Sequence, residues 1–490
     1  MLAAIDLGAE SGRVVTGDLA GDRLDIAEVH RFANTPVRLA EGLEWNVLSL
    51  WAEIGAGLQR AASATTGSIR GIAVDSWGVD FALLGRDGTL LGNPTHYRDD
   101  RTLDMVDEAL SYVDAAVLYQ TTGLPLMRIN SLFQLLSLAR RNSPQLEIAE
   151  RILMIPDLFT AWLSGRPVTE VSIASTTQCL DIRRRGWARD LLDELAIPSG
   201  IFGEIVPAGA VLGQLVPPLS SVASLAGASV VSTASHDTAA AAAAVPLAGP
   251  DTAWISSGTW SIMGFASPEP VLSDLAMRYG IGNEVGADGS YLVCRTMPGL
   301  WLVQECRREW AQQGMDRSYG ALAQMASEAP PFVSFVDPED DRFAAPGEMV
   351  GRIRAWCRAT GQTEPDTPAA VLRCAFESLA LQYRRAIDQL ERASGRALRT
   401  ISIVGGGSQN ALLCQMTADA LGRPCVAGPV EATAAGNLLI QAIALGLVGS
   451  LEEGRALVRR SFDITTYEPH GASRWDAPYR RFLELTDAHA

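Results

Sequence analysis

The chain opens on an apolar run, residues 2–5, which breaks at Asp6-Leu7-Gly8-Ala9-Glu10-Ser11-Gly12-Arg13 and resumes at Val14-Val15-Thr16-Gly17-Asp18. Short apolar runs on either side of a small, glycine-containing turn predict strand, turn, strand. The same grammar recurs past the middle, where Ala253-Trp254-Ile255 and Ile262-Met263-Gly264 flank Ser256-Ser257-Gly258-Thr259-Trp260-Ser261. In the first quarter, residues 71–75 and 81–84 read as strands around Trp77-Gly78-Val79-Asp80, and residues 48–62 carry apolar positions at helical spacing. Strands alternating with a helix predict an α/β domain.

Further on, residues 130–163 read as mostly helical and 206–216 as an irregular or β-rich connector. A buried strand at 229–234 leads through Ser235-His236-Asp237-Thr238 into the alanine-rich stretch 239–245. That stretch predicts a close-packed helix, because alanine has the highest helix propensity and lets neighbouring elements approach. Residues 246–250 read as a hinge. The second half repeats the theme with a hairpin at 254–265, a long helix at 368–394 and a strand at 400–404. Gly405-Gly406-Gly407-Ser408-Gln409-Asn410 then precedes an amphipathic helix through Leu421, and a last apolar helix at 436–447 follows the turn Pro429-Val430-Glu431-Ala432. A three-glycine turn before a helix N-terminus admits a flat or charged ligand, although the spacing is not that of a dinucleotide fold. The predicted division is 1–245, 246–455 and a segment 456–490 packing back on the first domain.

Length and charge narrow the function classes. At 490 residues the chain exceeds one core, and its formal net charge of −16 argues against nucleic acid or an anionic membrane as partner. All 40 basic residues are arginine. Without lysine the chain can build neither a Walker-A loop, nor a protein-kinase phosphate clamp, nor a pyridoxal Schiff base. Seven cysteines without CxxC spacing predict buried or free thiols, and five scattered histidines, His489 among them, predict no zinc cluster. With no apolar run of membrane-spanning length and no signal-peptide pattern, the expected location is cytoplasmic.

In such a chain phosphate must be met by backbone N–H groups, hydroxyls, arginine and a metal ion. Glycine and serine turns that place several donors on one anion suit that purpose, and two of them suggest a nucleotide between related halves. Asp6 beside the first turn is either a turn cap or a carboxylate addressing a phosphate-bound cation. Asp237 is either the cap of the following helix or a base aimed at a substrate hydroxyl. A His-Asp phosphohydrolase is a third reading of that pair, but it needs further histidines nearby. The Trp77 to Asp80 turn is either a core tryptophan at a turn or a sugar-holding aromatic and carboxylate. Tyr97-Arg98-Asp99-Asp100-Arg101 reads as a mutually paired charge cluster.

Taken together, Asp6-Leu7-Gly8, Asp75 to Asp80, Tyr97 to Thr102, Ser235-His236-Asp237-Thr238, Ser256 to Ser261 and Val404 to Asn410 resemble the FGGY carbohydrate kinases over essentially the whole chain. Met154 to Leu158, Gly299-Leu300-Trp301-Leu302 and Ala427 to Ala432 extend the likeness. The resemblance implies an α/β, actin-like ATPase fold, with two related ribonuclease-H-like domains around a central cleft. It implies ATP-dependent phosphorylation of a ketose, with the branch acting on L-rhamnulose at O1 nearest, and ATP and Mg²⁺ as cofactors. It further implies Asp237 as general base and a sugar site of Gly78, His236, Asp237 and Thr238. Ala9, Glu10, Ser11, Gly12, Arg13, Thr259, Thr296, Gln304 and Gly406 would contact ATP, and Asp6 would hold Mg²⁺ through water. Thr296 stands where the family commonly has asparagine, and 126–130 replaces a more apolar segment near the sugar. Kinases for L-fuculose or L-ribulose and a non-catalytic sugar or nucleotide sensor stay open as alternatives, and oligomeric state is not legible.

Overall fold

A computed structural model describes residues 1–490 except Glu41, Thr66, Ala248 and 488–490, with Ala20 and Asp487 described by backbone alone. His489 and the end of the 456–490 segment lie outside the described residues. The chain forms two compact units, Met1–Ala244 with Ala266–Val293 and Ala432–Ser461, and Val245–Phe265 with Cys294–Glu431 and Phe462–Ala490.

The first unit is built on strands β1 (Leu2–Leu7), β2 (Ser11–Ala20), β3 (Arg23–Ala33), β4 (Gly71–Ser76), β5 (Ala210–Gln214) and β6 (Ser229–Ser232), in the order β5-β6-β4-β1-β2-β3. β1 runs antiparallel to β2 and parallel to β4, which in turn runs parallel to β6. Helices cover the sheet centre, so β1 and β4 are buried along their whole length, their apolar starts giving way to Asp6 and Asp75 near their ends. Edge strand β3 has residues that alternate between buried and exposed over part of its length. Helix α1 (Val47–Ala64) starts where Ser49 N–H donates to Asn46 Oδ1 at 3.1 Å, and it buries Leu50, Ile54, Leu58 and Ala61.

Helix α2 (Asp237–Ala244) is the alanine stretch, buried from Thr238 to its end. Its alanines admit helix α5 (Ala432–Ala444), whose Gly436 lies so close that a Cβ there would stand 1.8 Å from the Ala240 carbonyl oxygen. α5 begins about one turn earlier than the apolar pattern predicts. It is also tied to the sheet: Asn437 Nδ2 donates to Asp75 Oδ2 at 2.6 Å and Gln441 Nε2 to the Ala3 carbonyl at 2.9 Å. These contacts group 432–461 with the first compact unit by packing, although it follows the strands of the second in sequence. A second departure lies in 130–163, where Arg151–Met154 is a strand antiparallel to Phe81–Leu84. A four-residue apolar run carries too little periodicity to separate strand from helix.

The second unit repeats the strand pattern. β7 (Thr252–Ser257) is antiparallel to β8 (Trp260–Ser267) and parallel to β9 (Thr400–Val404), which continues parallel to β10 (Cys425–Ala427). Helix α3 (Pro368–Ser394) is capped by Thr367 and stopped by Gly395 at φ +69°, and α4 (Ala411–Leu421) follows the glycine turn. From Phe462 the chain belongs to this unit: β11 (Thr465–Tyr467) pairs antiparallel with β10. The expected return of 456–490 to the first domain thus stops at Ser461, because β10 offers an edge that the later residues complete. All seven cysteines are buried free thiols. Among the described residues no helix is long and apolar enough to cross a membrane.

Candidate active site

In each unit three parallel strands end at one edge, β1, β4 and β6 in the first and β7, β9 and β10 in the second. Loops beyond the carboxyl ends of parallel strands are where α/β sheets bind ligands. The sequence-predicted residues divide between these two edges.

In the first unit the β1–β2 turn closes through Gly8 N–H to the Ser11 carbonyl at 2.8 Å, and Asn34 Nδ2 clamps it through the Gly8 carbonyl at 2.9 Å. Ala9, Glu10, Ser11, Gly12 and Arg13 form the turn and the start of β2. Arg13 Nη2 donates to Asp6 Oδ2 at 2.7 Å, and the Asp6 side chain is 12% exposed. Register places Asp6 directly beside Asp75. Burial holds Asp75 well above the ordinary carboxylate range, with Asp6 and then Asp237 adding repulsion and Asn437 opposing it. Its Oδ1 is buried without a hydrogen-bond partner.

The segment after β6 lies alongside β4, through Ser76 N–H to the Ser235 carbonyl at 2.9 Å and a parallel bridge from Ser76 to His236. Glu170 fixes it from below, accepting from Ser235 N–H at 3.0 Å and from Ser172 Oγ, while His236 N–H donates to Ser172 Oγ at 3.2 Å. Asp237 is the first residue of α2, since Ala240 N–H already bonds the His236 carbonyl, so His236 takes the capping position considered for Asp237. The Asp237 side chain is 35% exposed. Desolvation raises its pKa and Asp6 adds to the rise, against the pull of His236 and of Thr238, whose Oγ1 donates at 3.2 Å.

His236 itself is buried between carboxylates, Nδ1 standing 2.8 Å from Glu284 Oε2 and Nε2 3.4 Å from Asp237 Oδ1. Burial alone would strip its proton, but Glu284, Asp237 and Glu170 push its pKa up to about 9. Glu284 carries no motif and is distant in sequence; only folding brings it to His236.

Gly78 sits in a turn held open by its neighbour's backbone. Val79 has φ +68°, kept there by Thr176 Oγ1 accepting from its N–H at 3.1 Å and by Ser131 Oγ donating to its carbonyl at 2.5 Å. A Cβ on Gly78 would stand 2.9 Å from Thr176 Oγ1. The Asp80 carboxylate, considered as a sugar ligand, is instead fully buried and consumed: Trp45 and Trp77 Nε1 donate to Oδ2 at 2.6 and 3.0 Å, and Gln134 Nε2 to Oδ1 at 3.0 Å. Burial raises its pKa to about 6 against those bonds. Trp77 is a core residue. Asp99 in the charge cluster likewise turns inward, accepting from Leu43 and Arg101 N–H groups.

In the second unit the β7–β8 turn closes through Gly258 N–H to the Trp260 carbonyl at 2.9 Å, while Ser261 Oγ meets Tyr383 OH at 2.7 Å. Gly299 N–H donates to the Thr259 carbonyl at 2.9 Å and Leu300 N–H to the Gly258 carbonyl at 2.8 Å. Gly405, at φ +79°, lets the next loop touch Ser257, and a Cβ on Gly407 would stand 2.1 Å from Ser257 Oγ. Beside these loops lies a cavity of about 500 Å³ lined by Gly258, Gln304, Tyr319, Gly320, Gly406 and Asn410, among others. Thr259, next to Gly258, and Thr296, exposed on Tyr291–Pro298, lie outside its lining. The contribution of helix Tyr319–Glu328 was invisible in sequence, because nothing in its composition marks it as ligand-facing.

Chemically, the first edge gathers carboxylates, a histidine ring between two of them and an arginine-backed glycine turn, the makings of proton removal beside an anion site. The second offers backbone turns and a pocket large enough for a flat ring. Among the described residues no group of three or more His, Cys, Asp or Glu has metal-holding geometry.

Residues 1–244 match the N-terminal domain of the FGGY family of carbohydrate kinases, and residues 253–445 match its C-terminal domain. The chain is 39% identical over 479 residues to a rhamnulokinase of Bacteroides thetaiotaomicron, covering 98% of each chain. It is 39% identical over 489 residues to a rhamnulokinase of Pectobacterium carotovorum subsp. carotovorum, covering 99% of this chain and 96% of that one. A ligand-bound xylulose kinase from Lactobacillus acidophilus superposes with TM-score 0.84 at 17% identity, covering 100% of this chain and 98% of that one.

Proposed function

The chain belongs to the FGGY family of carbohydrate kinases, with their two-domain, actin-like ATPase fold, and from this premise we propose that it transfers the γ-phosphoryl group of ATP to O1 of L-rhamnulose. Near-full-length identity to several rhamnulokinases supports the substrate. The observation that carries the chemistry is the Asp237 carboxylate at the head of α2, partly open and paired with the His236 ring.

Asp237 takes the proton of the attacking hydroxyl. A carboxylate whose pKa is raised by desolvation is a better base near neutrality than a free one. The proposed sugar site adds Gly78, His236 and Thr238, Gly78 being rigid because Thr176 holds the turn at Val79. The Ala9 to Arg13 turn of the first unit suits phosphate, and so, within the second unit, does the turn at Gly258 and Thr259. Adenine takes the cavity by Gln304 and Gly406. Mg²⁺ suits Asp6: it lies among carboxylates whose mutual repulsion a cation relieves, and since Arg13 already occupies Oδ2, a water-mediated contact is favoured. When bound, the ion neutralises charge on the phosphates. The protein's own part is positioning and charge compensation.

The test is a panel of ketoses assayed by coupled ADP release. L-rhamnulose is expected to give the highest kcat/KM, above L-fuculose and L-ribulose. A clear preference for another ketose overturns the substrate, and no sugar-stimulated ADP release from any of them overturns the kinase assignment.

The nucleotide reading has its own test in Gly299→Ala. A Cβ there would stand 2.5 Å from Ser261 Oγ and 2.6 Å from the Gly258 carbonyl, so the β7–β8 turn must move. KM for ATP is expected to rise about 10-fold or more with a much smaller change in KM for the ketose, since a displaced binding loop no longer aligns with its ligand. Equal effects on both substrates contradict the assignment.

A further inference from the structure

Glu284 lies on the strand Ile281–Val285, in the first unit, and its surroundings hold it unusually firmly. Its neighbour Asn283 is fully buried, with N–H and Nδ2 both donating to the Gly123 carbonyl, at 2.9 and 3.1 Å, and Oδ1 accepting from Val271 N–H at 2.7 Å. On the other side Val285 N–H donates to Ser175 Oγ at 2.9 Å. The backbone on both sides of Glu284 is therefore fixed, and the carboxylate stands 2.8 Å from His236 Nδ1 as an ion pair without hydrogen-bond alignment. His236 in turn has its backbone anchored by Ser172, and its far nitrogen stands 3.4 Å from Asp237 Oδ1. A carboxylate on one ring nitrogen selects the orientation of the ring and of the N–H on the other.

We infer that Glu284 is a positioning residue for phosphoryl transfer: it anchors the His236 ring so that the opposite nitrogen faces the Asp237 carboxylate. The inference rests on Asp237 being the general base. It gives the buried Glu284–His236 pair a use that sugar binding by His236 alone does not require.

Charge follows from the same geometry. His236 faces Glu284, Asp237 and Glu170, while Asp237 faces His236 and Asp6, with Asp75 near and Arg13 pairing Asp6. With Glu284 ionised, the ring stays protonated near neutral pH despite its burial, and the imidazolium favours the ionised, base form of Asp237. Removing the Glu284 charge lowers the ring's affinity for its proton. Asp237 then loses a cationic neighbour and binds its own proton more tightly.

The experiment compares Glu284→Gln, Glu284→Asp and Asp237→Asn in the full-length enzyme with ATP·Mg²⁺ and the preferred ketose. Melting curves establish that each is folded. Glu284→Gln is expected to lower kcat about 10-fold, to leave KM for ATP unchanged, and to move the acid limb of kcat/KM upward by about one pH unit, the scale for loss of a nearby opposite charge. Glu284→Asp is expected to recover part of both effects. An acid limb that stays in place in folded Glu284→Gln, whether or not kcat falls, overturns the inference. Should Glu284→Gln not fold, Glu284→Asp decides, since its shorter reach must move the limb in the same direction by a smaller amount. Near-normal turnover in Asp237→Asn removes the general base and the inference with it. Loss of turnover there beside an unmoved limb in Glu284→Gln overturns the inference alone.

Discussion

Replacing Asp237 by asparagine is expected to lower turnover by about 10²-fold or more while leaving the binding of ATP and ketose close to wild type, the scale of a lost general base. The isosteric amide keeps the shape of the site and can still accept from Thr238 Oγ1, which lies 3.2 Å away. It cannot take a proton. Isothermal titration of ATP analogue and of sugar, beside steady-state rates, separates the two effects. The pH dependence supplies a second readout. On the proposed reading activity needs Asp237 ionised, so kcat/KM is expected to fall as pH drops through a pKa that desolvation places above the ordinary carboxylate value. In Asp237→Asn that limb disappears. Retained turnover with the limb intact would mean that another group takes the proton.

The second large effect is structural. Gly436→Ala is expected to destabilise the first unit by on the order of 3 kcal/mol, at the upper end of overpacking costs. The added Cβ would meet the Ala240 carbonyl oxygen at 1.8 Å and its carbon at 2.6 Å, so relief requires helix α5 to move off α2. That movement pulls Asn437 from Asp75 and Gln441 from the Ala3 carbonyl, leaving buried polar groups unpaired beside the candidate catalytic carboxylates. Urea midpoints measure the loss, and activity is expected to fall with it. A midpoint within experimental error of wild type would show that the two helices are not packed as closely as described.

Much of the fold was legible because its signals are local. The long helix at 368–394 is bounded by Thr367-Pro368 and Gly395, whose capping chemistry acts within a turn of the chain. The paired hairpins were readable for the same reason, since glycine turns between short apolar runs specify strand reversal without help from distant residues. The strand at Arg151–Met154 was not, because its identity depends on a partner at Phe81–Leu84. Nor was the assignment of 432–461 to the first unit, which needs Gly436 against Ala240.

The same distinction divides the candidate site. Glycine turns, an acid after a buried strand and the absence of lysine are properties of the sequence by itself, and they determine that any phosphate must be met by backbone, hydroxyl, arginine and metal. They also carry the likeness to the carbohydrate kinases. Tertiary structure decided which carboxylates are spent and which are available. Asp80 and Asp99 are turned inward onto tryptophan and backbone donors, whereas Asp237 is left partly open, and Glu284 arrives from a distant strand to hold His236. A carboxylate's role depends on its solvation and on the charges within a few ångströms, and both are set by residues that meet only after the chain has folded.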